Sequence, residues 1–290
     1  MTLKPDFQDA RHGTLYVVAT PIGNPEDITL RAIRVLGAVD WIAAEDTRFA
    51  RRLLYGHDVS ARLISLYEHN EQRRTPELMR RLVAGESGAL ISNAGTPTIS
   101  DPGYRLVSTA AAAGIAVVPV PGPTAAAAAL SASGMPTDAF VFLGFPPKKD
   151  KALRRFLERL ESEEKTLIFY ESPVRIVSFL RAAESVFSDR RAFLAREMTK
   201  PHEEFLRGRL SQIRRRLTER KAVKGECTLI VAGAAVRQPA DAELTAAVKE
   251  ALAQGMGVSE AAKTVAARFG VARGRVYPMA LDIRKRSVDP

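Results

Sequence analysis

Short apolar runs alternate with amphipathic stretches through the first 120 residues. Residues 15–19, 41–44, 63–66, 89–91 and 116–118 each read as a buried strand, apolar at every position except Ser65 rather than on alternate positions. Helical periods lie between them. Thr29 caps one helix with Leu30, Ile33 and Leu36 on its inner face and Gly37 as its stop. A second helix runs to about Tyr55, a third has Thr75 as cap and Pro76 at its first position, and a fourth runs from near Tyr104 to Ala113. Strands separated by helices of this length predict right-handed crossovers and a parallel sheet. The loops 20–27, 45–48, 68–71, 93–101 and 121–124 then emerge at one sheet edge, where open α/β sheets bind ligands.

The pattern changes after residue 121. Residues 140–145, 165–170, 192–196, 203–209 and 227–232 read as strands, with helices at 148–160, 174–183 and near 211–218. Two of these strands have no helix between them, which predicts a hairpin and a mixed sheet. Beyond Gln238-Pro239 the chain is alanine-rich and helical. Leu244, Val248 and Leu252 form one stripe; Ser259 caps a second helix with Ala262, Val265 and Phe269 inward; Gly270 ends it; Val276, Tyr277, Ala280 and Leu281 line a third. Two helices joined by a short turn resemble a helix-turn-helix. The expected organisation is an α/β domain over 13–121, a second over 122–237 and a small helical domain over 240–290, with residues 1–12 as a frayed terminus.

Composition narrows the partners. The chain has 43 Lys and Arg against 33 Asp and Glu, a formal charge of +10, with arginine pairs or triplets at Arg51-Arg52, Arg73-Arg74, Arg80-Arg81, Arg154-Arg155, Arg190-Arg191 and Arg214 to Arg216. A polyanion such as nucleic acid is the natural partner. The single cysteine, Cys227, excludes an intrachain disulfide and fits a reducing cytoplasm. Scattered histidines with no Cys/His cluster argue against a metal site. The most apolar stretch, 115–130, is broken by Pro119, Pro121, Gly122 and Pro123, so no membrane helix is expected. No phosphate loop, dinucleotide fingerprint or Gly-x-Ser-x-Gly elbow occurs.

The loop 92–103 organises the candidate chemistry. Gly95, Pro97, Pro102 and Gly103 fix an irregular course, and Asn93, Thr96, Ser100 and Asp101 offer hydrogen-bonding groups. Taken with Val18-Ala19-Thr20-Pro21-Ile22-Gly23-Asn24, Asp27-Ile28-Thr29, Ala44-Glu45-Asp46-Thr47-Arg48, Glu68-His69-Asn70-Glu71 and Pro121-Gly122-Pro123-Thr124-Ala125, it resembles the ribosomal small subunit methyltransferase I family. These are 16S rRNA (cytidine-2'-O)-methyltransferases of the tetrapyrrole methylase superfamily. The resemblance runs from about Gly13 to the C-terminus.

It implies an α/β fold of the class III methyltransferase type: two α/β domains with a donor cleft between them and a small C-terminal helical domain. It further implies S-adenosylmethionine as donor, a homodimer, and 16S rRNA within the small ribosomal subunit as substrate. Family pattern places the donor against Pro21, Gly23, Asn93, Gly95, Thr96, Pro97, Pro121, Gly122, Thr124, Ala125, Glu171, Ser172, Ala232 and Gly233. The family usually has Asp where this chain has Asn93. Asp101 is the favoured general base, with Asp46 and Glu45 as the other acidic candidates at the cleft edge. Arg48, Glu68, His69, Asn70, Arg273 and Arg275 are expected to contact RNA. A corrin or porphyrin methylase would share fold and donor but leave the +10 charge and the added helices unexplained. A non-catalytic RNA-binding protein would leave the converging small-residue loops unexplained.

Overall fold

The computed structural model describes residues 12–235 and 239–286; all but the last residue of the terminus expected over 1–12, the linker residue Gln238 and residues 287–290 lie outside them. The first sheet contains β1 (Leu15–Val18), β2 (Trp41–Ala44), β3 (Arg62–Ser65), β4 (Gly88–Ile91) and β5 (Val117–Val120) in the order β3-β2-β4-β1-β5, with every pairing parallel. The crossovers are α1 (Leu30–Leu36), α2 (Thr47–Tyr55), α3 (Glu71–Val83) and α4 (Tyr104–Ala112). Both faces are covered, which is why the strands read as continuous apolar runs. Trp41, Ala43 and Leu90 pack with Leu78, Leu82 and Leu106 on one side. Ile42, Ala44, Ala89 and Ile91 pack with Leu36 and Leu54 on the other.

In this domain one helix start and one helix face depart from the sequence expectation. α3 begins four residues before Thr75, whose hydroxyl donates to the Glu71 carbonyl at 2.8 Å instead of capping, so Pro76 lies inside the helix. In α1, Thr29 does cap, accepting from the Ala32 N–H at 3.1 Å. The buried side of α1 is however Ala32 and Leu36, and Leu30, in the first turn, is 86% exposed.

The second sheet has the order β6-β7-β10-β8-β9, formed by β6 (Phe140–Phe142), β7 (Thr166–Glu171), β8 (Arg191–Arg196), β9 (Glu204–Arg209) and β10 (Cys227–Val231). Only β6 and β7 run parallel; β8 and β9 form the expected hairpin. β10 is antiparallel to β7, with Cys227 opposite Glu171 and Val231 opposite Leu167. The start of β10 therefore meets the end of β7 at one edge. α5 (Ala125–Ser133) covers one face through Ala129 and Leu130 against Ile168, Phe193 and Ile230. α6 (Asp150–Glu158), α7 (Ile176–Phe187) and α8 (Leu210–Thr218) cover the other, around Phe169 and Phe179.

The chain divides after Ala234 into two compact units. In the second, α9 (Asp241–Ala253), α10 (Val258–Phe269) and α11 (Arg273–Arg286) enclose Leu244, Val248, Ala262, Val265, Val276 and Ala280. Gly270 ends α10 with φ +63°, a conformation that favours glycine. Ser259 lies within α10 rather than at its cap, and Tyr277 and Leu281 stay 36% and 38% exposed. Among the described residues no helix is long and apolar enough to cross a membrane, and no cluster of three or more His, Cys, Asp or Glu could hold a metal.

Candidate active site

The loops that follow β1, β4 and β5 converge with the end of β7 and the start of β10 around a cavity of about 270 Å³. One wall is the loop after β4. Thr20 and Gly95 exchange two backbone hydrogen bonds of 2.9 and 3.0 Å, and the Thr96 hydroxyl donates to the Pro123 carbonyl at 3.2 Å. Within this loop Thr98 and Ser100 hold φ of +71° and +67°. A β-branched residue in that region is under steric strain, and such strain persists only where the surroundings over-determine it.

The facing segment between β8 and β9 carries the same signature, with Glu197 at φ +52° and Thr199 at +65° on either side of the cavity-lining Met198. Gly23 is required where the two sides meet: a Cβ there would stand 2.5 Å from Lys200 Cγ and 2.6 Å from Thr199 Oγ1. The Asn24 N–H donates to Thr199 Oγ1 at 2.9 Å, so the loop after β1 is fastened to the second sheet.

The other wall comprises Tyr170, Glu171, Ser172 and Pro173 beside Glu226, Cys227 and Thr228. Tyr170 Oη accepts from the Ala126 N–H at 3.1 Å, fixing the start of α5. Glu171 is 2% exposed; its Oε1 accepts from the Ser172 N–H at 2.7 Å. Its Oε2 is buried without a hydrogen-bond partner, 3.5 Å from the Arg175 guanidinium. Burial pushes the Glu171 carboxyl above its ordinary range. Burial also pushes the Cys227 thiol up to about 12.

Asp101 lines the cavity, and burial pushes its carboxyl up to about 6. A contact with the Ser92 hydroxyl offsets part of that rise, while the carboxylates of Glu45 and Glu226 add to it. A carboxylate that titrates near neutrality in a cavity wall has the basicity of a proton acceptor.

Gly95, Thr96, Thr124, Ala125, Glu171 and Ser172 also line the cavity. Pro21, Gly23, Asn93, Pro97, Pro121 and Gly122 do not, and several brace the loops from behind. A Cβ on Gly122 would stand 2.9 Å from Ala19 Cβ, so this glycine serves close packing of the loop after β5 on the end of β1. Asn93 Oδ1 accepts from the Asp46 N–H at 3.2 Å. The donor fixes which amide atom faces it, so the amide oxygen fills the accepting role open to an Asp. Ala232 and Gly233 lie away from the cavity, because β10 runs antiparallel and they leave it at the edge opposite Glu171. Gly233 instead packs on the Glu164 carbonyl, 1.8 Å from where a Cβ would stand.

Asp46 faces a different task from Asp101. It caps α2 through the Arg48 N–H at 2.8 Å and binds the Arg48 side chain at 2.9 and 3.1 Å, which holds its carboxyl at about 2. Glu45 stays outside the lining but is near enough to raise Asp101. Of the residues expected at RNA, Glu68 and His69 are exposed and Arg48 is 86% exposed despite its ion pair. Asn70 is buried and bridges the Tyr67 N–H and the Ser65 carbonyl, a turn brace rather than a surface contact. Arg273 donates to Ser259 Oγ at 3.0 Å, and Arg275 pairs with Asp241 at 2.7 Å, so both serve contacts within the helical unit. Ile22 lines the cavity from the loop after β1; sequence reasoning did not assign Ala94, Ile99, Phe145, Tyr170, Pro173, Met198, Glu226, Cys227 or Thr228 to the site.

Two sheets joined around a small-residue cavity define the class. The family model described as Tetrapyrrole (Corrin/Porphyrin) Methylases matches residues 14–214, and one described as the RsmI C-terminal HTH domain matches residues 238–284. Uroporphyrin-III C-methyl transferase from Thermus thermophilus, solved with S-adenyl homocysteine, shares the fold with a TM-score of 0.52 at 21% identity, over 76% of this chain and 97% of that one. Among sequence relatives, ribosomal RNA small subunit methyltransferase I of Halalkalibacterium halodurans is 44% identical over 91% of this chain and 93% of its own length. The protein of the same name from Streptococcus pyogenes serotype M1 is 42% identical over 98% of this chain and 100% of its own. The chain belongs to the ribosomal RNA small subunit methyltransferase I family, a branch of the tetrapyrrole methylases.

Proposed function

We propose that this protein transfers a methyl group from S-adenosylmethionine to the ribose 2'-oxygen of a cytidine in 16S rRNA, within the small ribosomal subunit, as a cytoplasmic homodimer. The observation that carries proton removal in this reading is Asp101, set in the wall of the small-residue cavity where burial raises its carboxyl to about 6. The residues present fit the donor. The buried Glu171 Oε2 without a hydrogen-bond partner is an acceptor for a cationic or hydroxyl group, and Ala94, Gly95 and Ala125 leave backbone within reach. Ile22 and Met198 supply apolar surface for a ring. When bound, S-adenosylmethionine supplies an electrophilic methyl carbon on a sulfonium, whose departure leaves a neutral thioether.

The chain's own work is then alignment and proton removal. The loops after β1, β4 and β5 and the end of β7 would align the 2'-oxygen with the methyl carbon at a near-attack separation of about 3 to 3.5 Å, and such alignment supplies a large share of the acceleration. Asp101 accepts the 2'-hydroxyl proton as the oxygen–carbon bond forms. A carboxylate of raised pKa is a stronger base than an ordinary one while still mostly ionised at pH 7, a contribution of about 10²- to 10⁴-fold. Exposed Arg48, Arg51 and Arg52 on α2 give the same edge cationic groups for phosphates.

The test is mass mapping of 16S rRNA after small subunits are incubated with protein and labelled donor. A single added methyl on a cytidine ribose is expected. Methylation of a base, or transfer to a subunit whose target nucleotide is 2'-deoxy, overturns the reaction type. A light-scattering mass of one chain overturns the homodimer.

A further inference from the structure

Phe145 is the one large aromatic of the cavity lining left mostly open, with 59% of its surface exposed. Exposure alone says little, since Leu30, Tyr55 and Val174 are more open still; what sets Phe145 apart is its place at the cavity lining on a fixed backbone. Its backbone is held on both sides. Gly144, at φ +58°, accepts from the Tyr170 N–H at 2.9 Å, and a Cβ on Gly144 would stand 2.9 Å from Ser100 Oγ, next to Asp101. On the far side Arg175 donates to the carbonyls of Pro146 and Pro147 at 3.3 and 2.8 Å. The ring meets Tyr170 edge to face, centroids 5.6 Å apart and planes at 61°. Exposed Lys148, Lys149 and Lys151 follow Pro147, with Asp150 among them; none lies within ion-pair distance of a carboxylate among the described residues, although Lys148 acts on the Glu171 carboxyl through space.

A pinned, exposed aromatic ring with unpaired cations beside it is the arrangement by which proteins take single-stranded RNA: the ring stacks a splayed base and the cations meet the backbone. We infer that Phe145 is the stacking platform for the nucleobase of the target nucleotide, holding it at the cavity mouth so that its ribose faces Asp101, with Lys148, Lys149 and Lys151 on the flanking phosphates. The inference rests on the proposed ribose methylation. Bringing its ribose to Asp101 in the cavity wall requires the target nucleotide to leave its neighbours, and stacking on a fixed ring replaces the stacking it loses. Every base has a π-face, so this contact selects an unstacked nucleotide rather than a particular base.

The experiment compares the wild-type protein, Phe145→Ala and Phe145→Trp on two substrates: small subunits with the normal target nucleotide, and reconstituted subunits carrying an abasic ribose there. Methyl transfer gives kcat/KM, and calorimetry gives donor affinity. On normal subunits Phe145→Ala is expected to lower kcat/KM by at least about 10-fold, the loss typical of removing a base-stacking ring. Phe145→Trp is expected to recover most of it, with donor affinity unchanged in both variants. On the abasic target the wild type and Phe145→Ala should be equally slow, because the base that the ring would hold is gone. Equal rates of wild type and Phe145→Ala on normal subunits overturn the inference. So does the same proportional loss on both substrates, or a parallel loss of donor affinity, which would make the ring part of the donor site. Failure of the wild type itself to methylate normal subunits overturns the underlying reading and the inference with it.

Discussion

The two walls of the cavity are built by different means. The loop after β4 is a local device: glycine, proline and small polar residues within one short stretch force a strained course, with Thr98 and Ser100 at positive φ. The opposite wall is made by pairing. Glu171 and Cys227 become neighbours only because β10 runs antiparallel to β7 in one register, although they are distant in the chain. The first wall carries the carboxyl suited to proton transfer, and the second carries the buried acceptor without a hydrogen-bond partner. The proposed chemistry and the proposed donor contact are thus separable, and single substitutions should separate them.

The largest effect is expected at Asp101. Asp101→Asn keeps size and hydrogen bonding but removes the base, and methyl transfer should fall by about 10²- to 10⁴-fold with donor affinity little changed. The wild-type rate should rise with pH through about 6 and then level, because the ionised form is the active one. The stability sign is opposite. A carboxyl raised in the folded state binds its proton more tightly there, so stability is lost as pH rises from the ordinary value of 3.8 through about 6. Asp101→Asn should therefore be more stable at pH 7, by on the order of 1 kcal/mol after allowance for partial exposure. Loss of both stability and donor affinity would make Asp101 a structural acceptor instead.

Glu171 is next. Glu171→Gln keeps the bond from the Ser172 N–H and removes the charge, so donor affinity by calorimetry should fall about 10- to 100-fold, the worth of a charge-assisted hydrogen bond. At saturating donor the transfer rate should stay near normal. A fall in rate with affinity intact would move the chemistry to the second wall and dissolve the contrast.

The contrast also marks what could be read from the sequence. The all-parallel first sheet, the mixed second sheet, the hairpin and the terminal helices follow from apolar spacing, because each strand and helix must bury its own residues. The first wall is legible for the same reason: its course is set by the residues it contains. The second wall is not, since Tyr170, Glu226 and Thr228 owe their position to register across separate strands. Ala232 and Gly233, placed at the donor by family pattern, leave β10 at the edge opposite Glu171 and do not line this cavity. Thr75-Pro76 likewise has the local form of a helix start, but the helix begins earlier, at Glu71, which Asn70's side chain leaves uncapped. Glu71 is buried there and accepts from the Arg105 N–H at 2.6 Å, a tertiary bond no local pattern announces.

A smaller effect is expected from relieving strain in the first wall. Thr98 sits at φ +71°, where a β-branched residue is disfavoured and glycine is not. Thr98→Gly should raise stability by about 1 kcal/mol, the strain released less the entropy that glycine loses on folding. In a chain of this size that is a rise of about 2 to 4 °C in Tm. An unchanged or lowered Tm would mean that the loop's course does not strain Thr98.

The smallest effect is expected in the second wall, at Cys227. A thiol in the proposed methyl-transfer cavity invites a nucleophilic role, and the surroundings deny it one. The residue is 4% exposed, and burial pushes the thiol up to about 12, from an ordinary 9. The nearby carboxylates of Glu171, Glu197 and Glu204 oppose ionisation further, against one favourable guanidinium, Arg196. At pH 8 the thiolate fraction is lower by about three powers of ten than for an unperturbed thiol, and the thiolate is the reactive form. The side chain thus contributes volume to the wall and nothing to the reaction. Cys227→Ala should leave transfer rate and donor affinity within about threefold of wild type, since it removes one small apolar atom. Iodoacetamide at pH 8 should modify the unfolded chain rapidly and the folded chain at least about 100-fold more slowly. Fast alkylation of the folded protein, or a large loss of transfer in Cys227→Ala, would place a working nucleophile in the wall assigned here to donor binding alone.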